Sequence, residues 1–141
     1  MALELTKVAV WSAELDDRPG TLAGKLEALE RAGANLDFII VRPYGDGSGR
    51  GVLYVAPLIS REQLQSAEEV GLRRSSIQSL RISGPDRPGL GAGIARTLAN
   101  HNINIAGLTA SALEDRCVFY VRFNSDADLI SAAAILTKSL G

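Results

Sequence analysis

Polar and apolar residues alternate along residues 7–15 of the chain and again along residues 77–83. An alternation of this kind is typical of a β-strand with one buried face. Both predicted strands lead into the same tetrapeptide, Asp-Arg-Pro-Gly, which occupies residues 17–20 and 86–89. The pattern therefore predicts two copies of one strand-and-turn unit. The apolar positions that keep the same phase in the two copies are Trp11, Ala13, Leu80 and Ile82.

A helix is predicted after each turn, because leucine and isoleucine recur at helical spacing. We expect Asp17 and Asp86 to be the N-caps of these helices. Proline is tolerated in a first helical turn, and the glycine three residues after each aspartate carries an N–H that a cap could bind. The helices are expected to end near residues 31–35 and 100–104. The apolar positions are Leu22, Leu26 and Leu29 in the first copy and Leu90, Ile94 and Leu98 in the second.

Each copy continues with two strands joined by a hairpin and then a second helix. Ser60 and Ser125 precede these helices, and Gln63 and Asp128 follow three residues later, as in a capping box. Residues 72–76 (LRRSS) could form a short fourth strand for the first copy. The remaining strands are predicted near 35–42 and 51–57 in the first copy, and near 103–112 and 116–123 in the second.

In the range from the first strand of each copy to its second strand, the two copies align without gaps at a shift of 69 residues. Beyond residue 43 we expect the shift to be 65, because "PYGDGSGR" is four residues longer than "LEDR". Strand phase, helix start and the following strand agree together, which indicates a duplication. The identical pairs are Asp17/Asp86, Arg18/Arg87, Pro19/Pro88, Gly20/Gly89, Ala23/Ala92, Gly24/Gly93, Leu29/Leu98 and Asn35/Asn104.

The predicted fold class is α+β, with two ferredoxin-like modules of order β-α-β-β-α-β. Each has an antiparallel sheet with both helices on one face. We place the first module at residues 1–76 and the second at 77–141. The second module lacks an obvious last strand, so its sheet edge is expected to be open or covered by a neighbour.

The duplicated turn has two interpretations. It is either a plain strand-to-helix connector or a ligand-facing turn. A helix N-terminus offers free N–H groups to a carboxylate, and a glycine there leaves room for close approach of a ligand. Asn35 and Asn104 have both the donors and the acceptors that a zwitterion needs. Because the strand that each begins follows the helix that the turn opens, we expect each asparagine to be a partner of the turn in its own copy. The residues alone leave both interpretations open.

Each half of the chain resembles an ACT domain, the small amino-acid-sensing module. The resemblance rests on "LDDRPGTLAGKLEALERAGANLDFI" and "GPDRPGLGAGIARTLANHNINIAGLTA" and covers residues 7–76 and 77–140. It implies the β-α-β-β-α-β fold and an amino-acid ligand at an interface between two modules. One departure is Gly91 in place of Leu22, which predicts looser packing where the second-copy helix begins. The implied ligand-binding residues are Asp17, Arg18, Pro19, Gly20, Asn35, Asp86, Arg87, Pro88, Gly89 and Asn104.

The composition and charge of the chain argue against two classes of partner, nucleic acids and membranes. A net charge of −1 with scattered basic residues argues against nucleic-acid binding. No apolar run approaches the roughly 18 residues of a membrane span, and the N-terminus lacks the pattern of a signal peptide. We therefore expect a cytoplasmic protein without a membrane partner. Cys117 is the only cysteine and lies in an apolar strand, which favours a buried, inert thiol.

Four other features have simple structural interpretations. Residues 45–51 (GDGSGRG) lack the Lys-Ser/Thr and the helix of a phosphate-binding loop, so a hairpin loop is expected there. His101 should lie at a helix C-terminus, and Trp11 should be a core or interface residue. The acids Glu14, Asp16 and Asp17 are too sparse for a hard-metal site, so we expect neither a metal nor a cofactor.

The leading hypothesis from the sequence is a non-catalytic, homodimeric regulatory protein that binds a small amino acid where ACT-like modules meet. Binding would alter its assembly or its contact with a metabolic enzyme or regulator. The alternative is a ligand-free scaffold for protein–protein interaction, or a regulatory subunit of a metabolic enzyme. An enzyme is disfavoured, because the only histidine and the only cysteine have no predicted catalytic partner.

Overall fold

The computed structural model describes residues 3–140, in which twelve elements alternate in a repeated order. Two compact units are present, residues 9–76 and residues 77–140 together with residues 3–8. We call them the 9–76 module and the 77–140 module. The elements are β1 (Glu4–Val8), β2 (Trp11–Asp16), α1 (Thr21–Arg31), β3 (Phe38–Pro43), β4 (Arg50–Ala56), α2 (Arg61–Glu69), β5 (Arg73–Arg74), β6 (Ser79–Pro85), α3 (Leu90–Asn100), β7 (Gly107–Leu113), β8 (Arg116–Arg122) and α4 (Asp126–Leu140).

The 9–76 module has a four-stranded antiparallel sheet of order β3-β4-β2-β5, and α1 and α2 cover one of its faces. The alternation predicted for β2 is confirmed, because Trp11, Ala13 and Leu15 are buried while the residues between them are not. The short fourth strand predicted at residues 72–76 is β5. Leu29 of α1 is fully buried against this sheet, as its helical spacing predicted.

The 77–140 module has the same architecture, with strand order β7-β8-β6 and β1 in the fourth place. β1 pairs antiparallel with β6, from Glu4 opposite Ser83 to Val8 opposite Ser79. Leu3 is only 7% exposed and belongs to the core of this module. The strand that the second copy lacks at its end is therefore supplied by the beginning of the chain.

This arrangement corrects two expectations. The single strand expected over residues 7–15 is two strands, β1 and β2, and they belong to different sheets. The first module was expected to start at residue 1, but residues 3–8 cluster with residues 77–140. Alternation reports which face of a strand is buried and carries no information about which sheet buries it. Residues 1, 2 and 141, included in the expected boundaries, lie outside the described residues.

The strand register also corrects the alignment of the copies. Ala13 lies opposite Leu53 in the first module, and Ile82 lies opposite Phe119 in the second, so the shift after the hairpin is 66 (119 − 53) rather than 65. The first hairpin is thus three residues longer than the second. The shift of 65 holds only for the second helices, whose N-cap serines are Ser60 and Ser125. The one-residue difference is taken up between strand and helix.

The predicted helix starts are confirmed in the second helix of each module. The Ser60 hydroxyl accepts a hydrogen bond from the Gln63 N–H at 3.2 Å, and the Ser125 hydroxyl accepts one from the Asp128 N–H at 3.1 Å. The longest described helix, α4, has 15 residues. Within residues 3–140 no helix combines the length and the apolar character needed to cross a bilayer.

Candidate functional site

The duplicated turn is fixed by backbone hydrogen bonds to its own sheet. The N–H of Asp17 donates to the carbonyl of Gly49 in the β3–β4 hairpin at 2.8 Å, and the N–H of Arg18 donates to Asp16 at 2.9 Å. The Thr21 hydroxyl donates to the Asp16 carbonyl at 2.6 Å. Strand end, hairpin and helix start therefore hold the turn from three sides.

The second copy repeats this geometry. The N–H of Asp86 donates at 2.7 Å to the carbonyl of Asp115, which is the residue equivalent to Gly49 at the shift of 66. The tetrapeptide is exposed in both copies, so its side chains are free to meet a ligand. The structure thus brings Asp17, Arg18, Pro19 and Gly20 into one turn, and Asp86, Arg87, Pro88 and Gly89 into another.

The helices begin differently from what we expected. The N-caps are Gly20 and Gly89, both in the left-handed conformation with φ of 95° and 80°, and no side chain caps either helix. The expected caps, Asp17 and Asp86, are wrong because each helix begins one residue after the glycine, which places the aspartate too far from its first turn. The first N–H groups of both helices consequently have no side-chain cap.

The glycines leave open space at these helix starts. A Cβ atom built at Gly20 or Gly89 would meet no atom of the described protein within 4 Å. At positive φ an L side chain is strained, whereas glycine is not. The backbone therefore favours glycine here, and the surface that the glycine leaves bare is accessible to a ligand.

Asn35 and Asn104 do not lie beside the turns of their own modules. Asn35 is an exposed loop residue beyond the C-terminus of α1, and Gly20 lies before the N-terminus of that helix. Eleven residues of α-helix separate the two ends by about 16 Å at 1.5 Å per residue. Asn104 has the same relation to α3. The expectation that each asparagine meets a ligand at its own module's turn fails on this distance.

A cleft of about 770 Å³ in the 9–76 module opens beside the first turn. It lies where α1 begins, α2 ends and β2 ends, and it includes the bare backbone of Gly20 and Gly24. Charged side chains of both signs line it, which suits a zwitterionic ligand. These charged residues are Glu14, Asp16, Lys25, Arg50 and Glu69.

Lys25 is the half-buried cation of this cleft. Its Nζ donates to the carbonyl of Val70 at the C-cap of α2, at 2.5 Å, and so connects the two helices of the module. No sequence pattern pointed to Lys25, Arg50 or Glu69 as residues of a site. The available signal was Gly24, which is identical in the two copies and lies one helical turn after Gly20.

At the edge of the cleft, Arg50 donates to the carboxylate of Glu14, and the Tyr44 hydroxyl lies 3.4 Å from the same carboxylate. Desolvation and, after it, the charge of Glu14 raise the pKa of Tyr44 above its ordinary value. A longer contact of 3.7 Å joins Arg18 to Asp16. The charges on this side of the module are thus mostly paired with one another.

The corresponding region of the 77–140 module is apolar. The counterpart of Lys25 is Ile94, which is fully buried, and α4 has 15 residues where α2 has nine. Looser packing was expected where α3 begins, but Leu90 is 4% exposed, and a Cβ at Gly91 would lie 3.5 Å from the Phe119 ring. The two copies share the turn and differ in what surrounds it.

The remaining candidates have structural roles. Residues 45–49 form a hairpin loop in which Asp46 accepts from the Ser48 N–H at 3.0 Å, and hydrogen bonding by Ser48 lowers the pKa of Asp46. His101 is the C-cap of α3, with Nδ1 2.8 Å from the carbonyl oxygen of Thr97. Trp11 is 6% exposed in the core of the 9–76 module.

Neither Cys117 nor the acidic side chains form a reactive or metal-binding site among the described residues. Cys117 is buried, and desolvation followed by the charge of Asp86 raises the pKa of its thiol. A buried thiol with a raised pKa is a poor nucleophile. Between residues 3 and 140 no cluster of three or more His, Cys, Asp or Glu side chains could hold a metal ion.

Comparison with known proteins gives a family match for the second module. The model of the ACT domain matches residues 78–138. No curated protein matches the sequence. Among solved structures, a protein from Bacteroides thetaiotaomicron has a TM-score of 0.79 at 16% identity, over 96% of this chain and 90% of the other.

Two further structures are similar over their full length. The ligand-free regulatory subunit of aspartate kinase from Thermus thermophilus has a TM-score of 0.66 at 19% identity, covering 100% of this chain and 98% of the other. The regulatory subunit of aspartate kinase from Thermus flavus has a TM-score of 0.62 at 21% identity, covering 99% and 97%. At these identities the likeness concerns the fold.

Proposed function

Because residues 78–138 match the ACT-domain family and the 9–76 module repeats the same sheet architecture, we propose that the chain is a tandem of ACT-type modules and a non-catalytic regulatory protein that binds a small amino acid. The ligand would lie where modules meet in a homodimer. Binding would change the assembly or its contact with a partner. We propose that this partner is a metabolic enzyme in the cytoplasm. Similar folds in regulatory subunits of aspartate kinase support a partner of this kind.

The observation that carries the proposal is the uncapped start of α1 beside a cleft with charges of both signs. The N–H of Thr21 donates weakly to the Arg18 carbonyl at 3.5 Å, so the N–H groups of Leu22 and Ala23, together with the partial positive charge of the helix end, are the ones that suit a carboxylate. Among the acids of the same cleft, Glu14 and Asp16 lie beside Arg50 and Arg18, so Glu69 is the acid best placed to meet an ammonium group. An α-amino acid presents both charges close together, as this arrangement requires.

The distance between Asn35 and Gly20 means that one module alone cannot place both residues on the same small ligand. If either Asn35 or Asn104 contacts the ligand, it must come from a module other than the one whose turn holds the carboxylate. A second copy of the chain would supply it. The ligand would then favour the dimer that completes the site, and its effect is limited to its differential affinity for the two states.

One observation favours the alternative of a scaffold. The edge strand β3 exposes Ile39 and Val41, which are 48% and 39% exposed on the side of the sheet that the helices cover elsewhere. An exposed apolar edge is suited to pairing with another chain. The open edge expected for the second module would also have suited a scaffold, but β1 fills that place.

A thermal-shift screen of the whole chain against the twenty amino acids and their biosynthetic relatives tests the proposal, with calorimetry on each hit. A ligand that binds only the native state at a Kd of about 100 μM stabilises it measurably at millimolar concentration. A shift with one amino acid, and a change in sedimentation with the same compound, would support a sensor. No shift with any compound, together with stable self-association, would favour the scaffold.

A further inference from the structure

The face of the 77–140 sheet that lies opposite its helices holds a second, smaller cleft of about 270 Å³. Along each strand, positions that face outward alternate with positions that face the core. Arg81 and Ser83 of β6 are outward-facing positions, so they lie on this face. Ser111 of β7 and Arg116 of β8 also line the cleft, with Glu4 of β1 as its one acidic residue. The cleft therefore carries more positive than negative charge.

Arg81 has an unsatisfied hydrogen-bond donor in this cleft. Its Nη1 donates to the Ser83 hydroxyl at 3.3 Å, whereas its Nε is buried without a partner in the described structure. A buried donor left unpaired costs free energy, and the cost is larger for a charged group. The guanidinium edge that carries Nε–H also binds a carboxylate through two parallel hydrogen bonds.

Comparison of the two modules shows which side chain is missing from this cleft. In the 9–76 module Asp16 lies opposite Arg50, and in the 77–140 module Pro85 lies opposite Arg116, so the two arginines are equivalent. Arg50 donates to the carboxylate of Glu14. At the position of Glu14, the 77–140 module has Ser83, which is only 6% exposed.

The charge balance of the second copy therefore changes twice. Glu14 is replaced by Ser83, which removes the carboxylate, and Ser12 is replaced by Arg81, which adds a cation. Among residues 3–140, neither Arg81 nor Arg116 has a carboxylate oxygen within 4.0 Å. Glu4 lies opposite Ser83 in this cleft but, within the described part of the chain, forms no ion pair with either arginine, so two arginines face a cleft in which the carboxylate partner that Arg50 has in the other copy is absent.

We propose that this cleft binds the carboxylate group of a small organic acid, which takes the place that the Glu14 carboxylate has in the other module. Arg81 binds it through Nε–H, Arg116 provides the second positive charge, and the hydroxyls of Ser83 and Ser111 are further donors. The volume admits a compound of a few carbon atoms. This site is distinct from the duplicated turn, and it does not depend on an amino acid binding there.

Nuclear magnetic resonance of the full chain at constant ionic strength tests the site, with sodium succinate and sodium acetate as probes. We expect a saturable shift of the Arg81 Nε–H resonance. Arg81→Gln should weaken binding at least about tenfold, as the loss of a charge-assisted pair implies. Arg42→Gln is the matched control, because Arg42 is an exposed arginine on the equivalent face of the other sheet.

Ser83→Glu gives a second and opposite test, because it restores the internal carboxylate. It should abolish succinate binding and raise the melting temperature relative to Ser83→Gln, which has a similar size and no charge. Unchanged affinity in Arg81→Gln, or no saturable shift in the native protein, would overturn the site. Saturation by inorganic phosphate without saturation by either carboxylate would overturn the assignment of the ligand.

Discussion

The N–H of Asp17 donates to the carbonyl of Gly49 at 2.8 Å and so joins the start of the turn to the hairpin of the same sheet. The bond recurs between Asp86 and Asp115, although the first hairpin is three residues longer than the second. Since the backbone alone makes it, the bond tolerates changes of side chain and of loop length. The geometry of the turn could therefore persist while the surrounding residues diverged into a charged cleft and an apolar core.

Deleting residues 1–8 should destabilise the 77–140 module selectively. The deletion removes Leu3 from the core and exposes the edge of β6 that pairs with β1. Hydrogen exchange should show faster exchange in β6 and β8, with β2 and β4 unchanged. Lys7→Ala, a change of one exposed side chain of β1, should leave exchange unaltered. Equal protection of β6 in the truncated and full chains would show that β1 contributes little to this module.

Gly20→Asn should weaken ligand binding at the first turn at least about tenfold without unfolding the module. Asparagine tolerates positive φ better than other residues, and no protein atom lies within 4 Å of the added Cβ. Its side chain would occupy the space that a ligand carboxylate needs. Calorimetry with the amino acid found by the screen measures the effect.

Gly47→Asn is the control for this change, because Gly47 also has positive φ and open space around it but lies in the hairpin loop. Equal affinity in both variants and the native chain would remove the α1 N-terminus from the site. A larger side chain such as leucine would be a poorer test at residue 20, because strain at φ of 95° would itself disturb the helix.

The thiol of Cys117 should make the protein less stable in alkali. Desolvation, and next the charge of Asp86, raises its pKa in the folded state, whereas the unfolded thiol keeps an ordinary pKa of about 8.5. The unfolded chain therefore loses the proton first, so this stabilising contribution is complete below the unfolded pKa and is lost as pH rises through the folded value. Urea unfolding on both sides of the ordinary thiol pKa should show the decline.

In Cys117→Ala the part of this decline that comes from the thiol should disappear. The native thiol should also react slowly with a disulfide reagent near neutral pH and quickly once the chain is unfolded in urea. Rapid reaction of the folded protein would contradict a buried, protonated thiol. A decline of the same slope in Cys117→Ala would assign the alkaline instability to other groups.

Much of the fold followed from local patterns. The helices at Leu22–Leu29 and Leu90–Leu98, the serine caps and the hairpins each depend on neighbouring residues, and the structure confirms them. The partner of β1 could not be predicted, because it depends on a contact with residues more than 70 positions away. The predicted shift of 65 was wrong for the strands because it was taken from the serine caps of the second helices. It aligned Leu53, which faces the core, with Val118, which faces outward.

The candidate site was predicted only as far as its backbone. The repeated tetrapeptide identified the turn, but Lys25, Arg50 and Glu69 come from three elements whose approach only the folded chain shows. Asn35 was assigned to the turn because it follows the helix in sequence. The length of that helix separates the two, which is a matter of geometry that a sequence pattern does not express.

Lys25→Met should reduce ligand affinity at least about tenfold and lower the free energy of unfolding by about 1 kcal/mol. The stability loss follows from the bond between its Nζ and the Val70 carbonyl, and the affinity loss from removal of the half-buried cation of the cleft. Lys138→Met, a change in the last turn of α4, is the control and should alter neither quantity. If only stability falls, the role of Lys25 is to connect α1 and α2 and not to bind the ligand. If affinity falls as predicted, the replacement of this lysine by buried Ile94 in the 77–140 module predicts a stoichiometry of one ligand per chain at this type of site, which calorimetry measures directly.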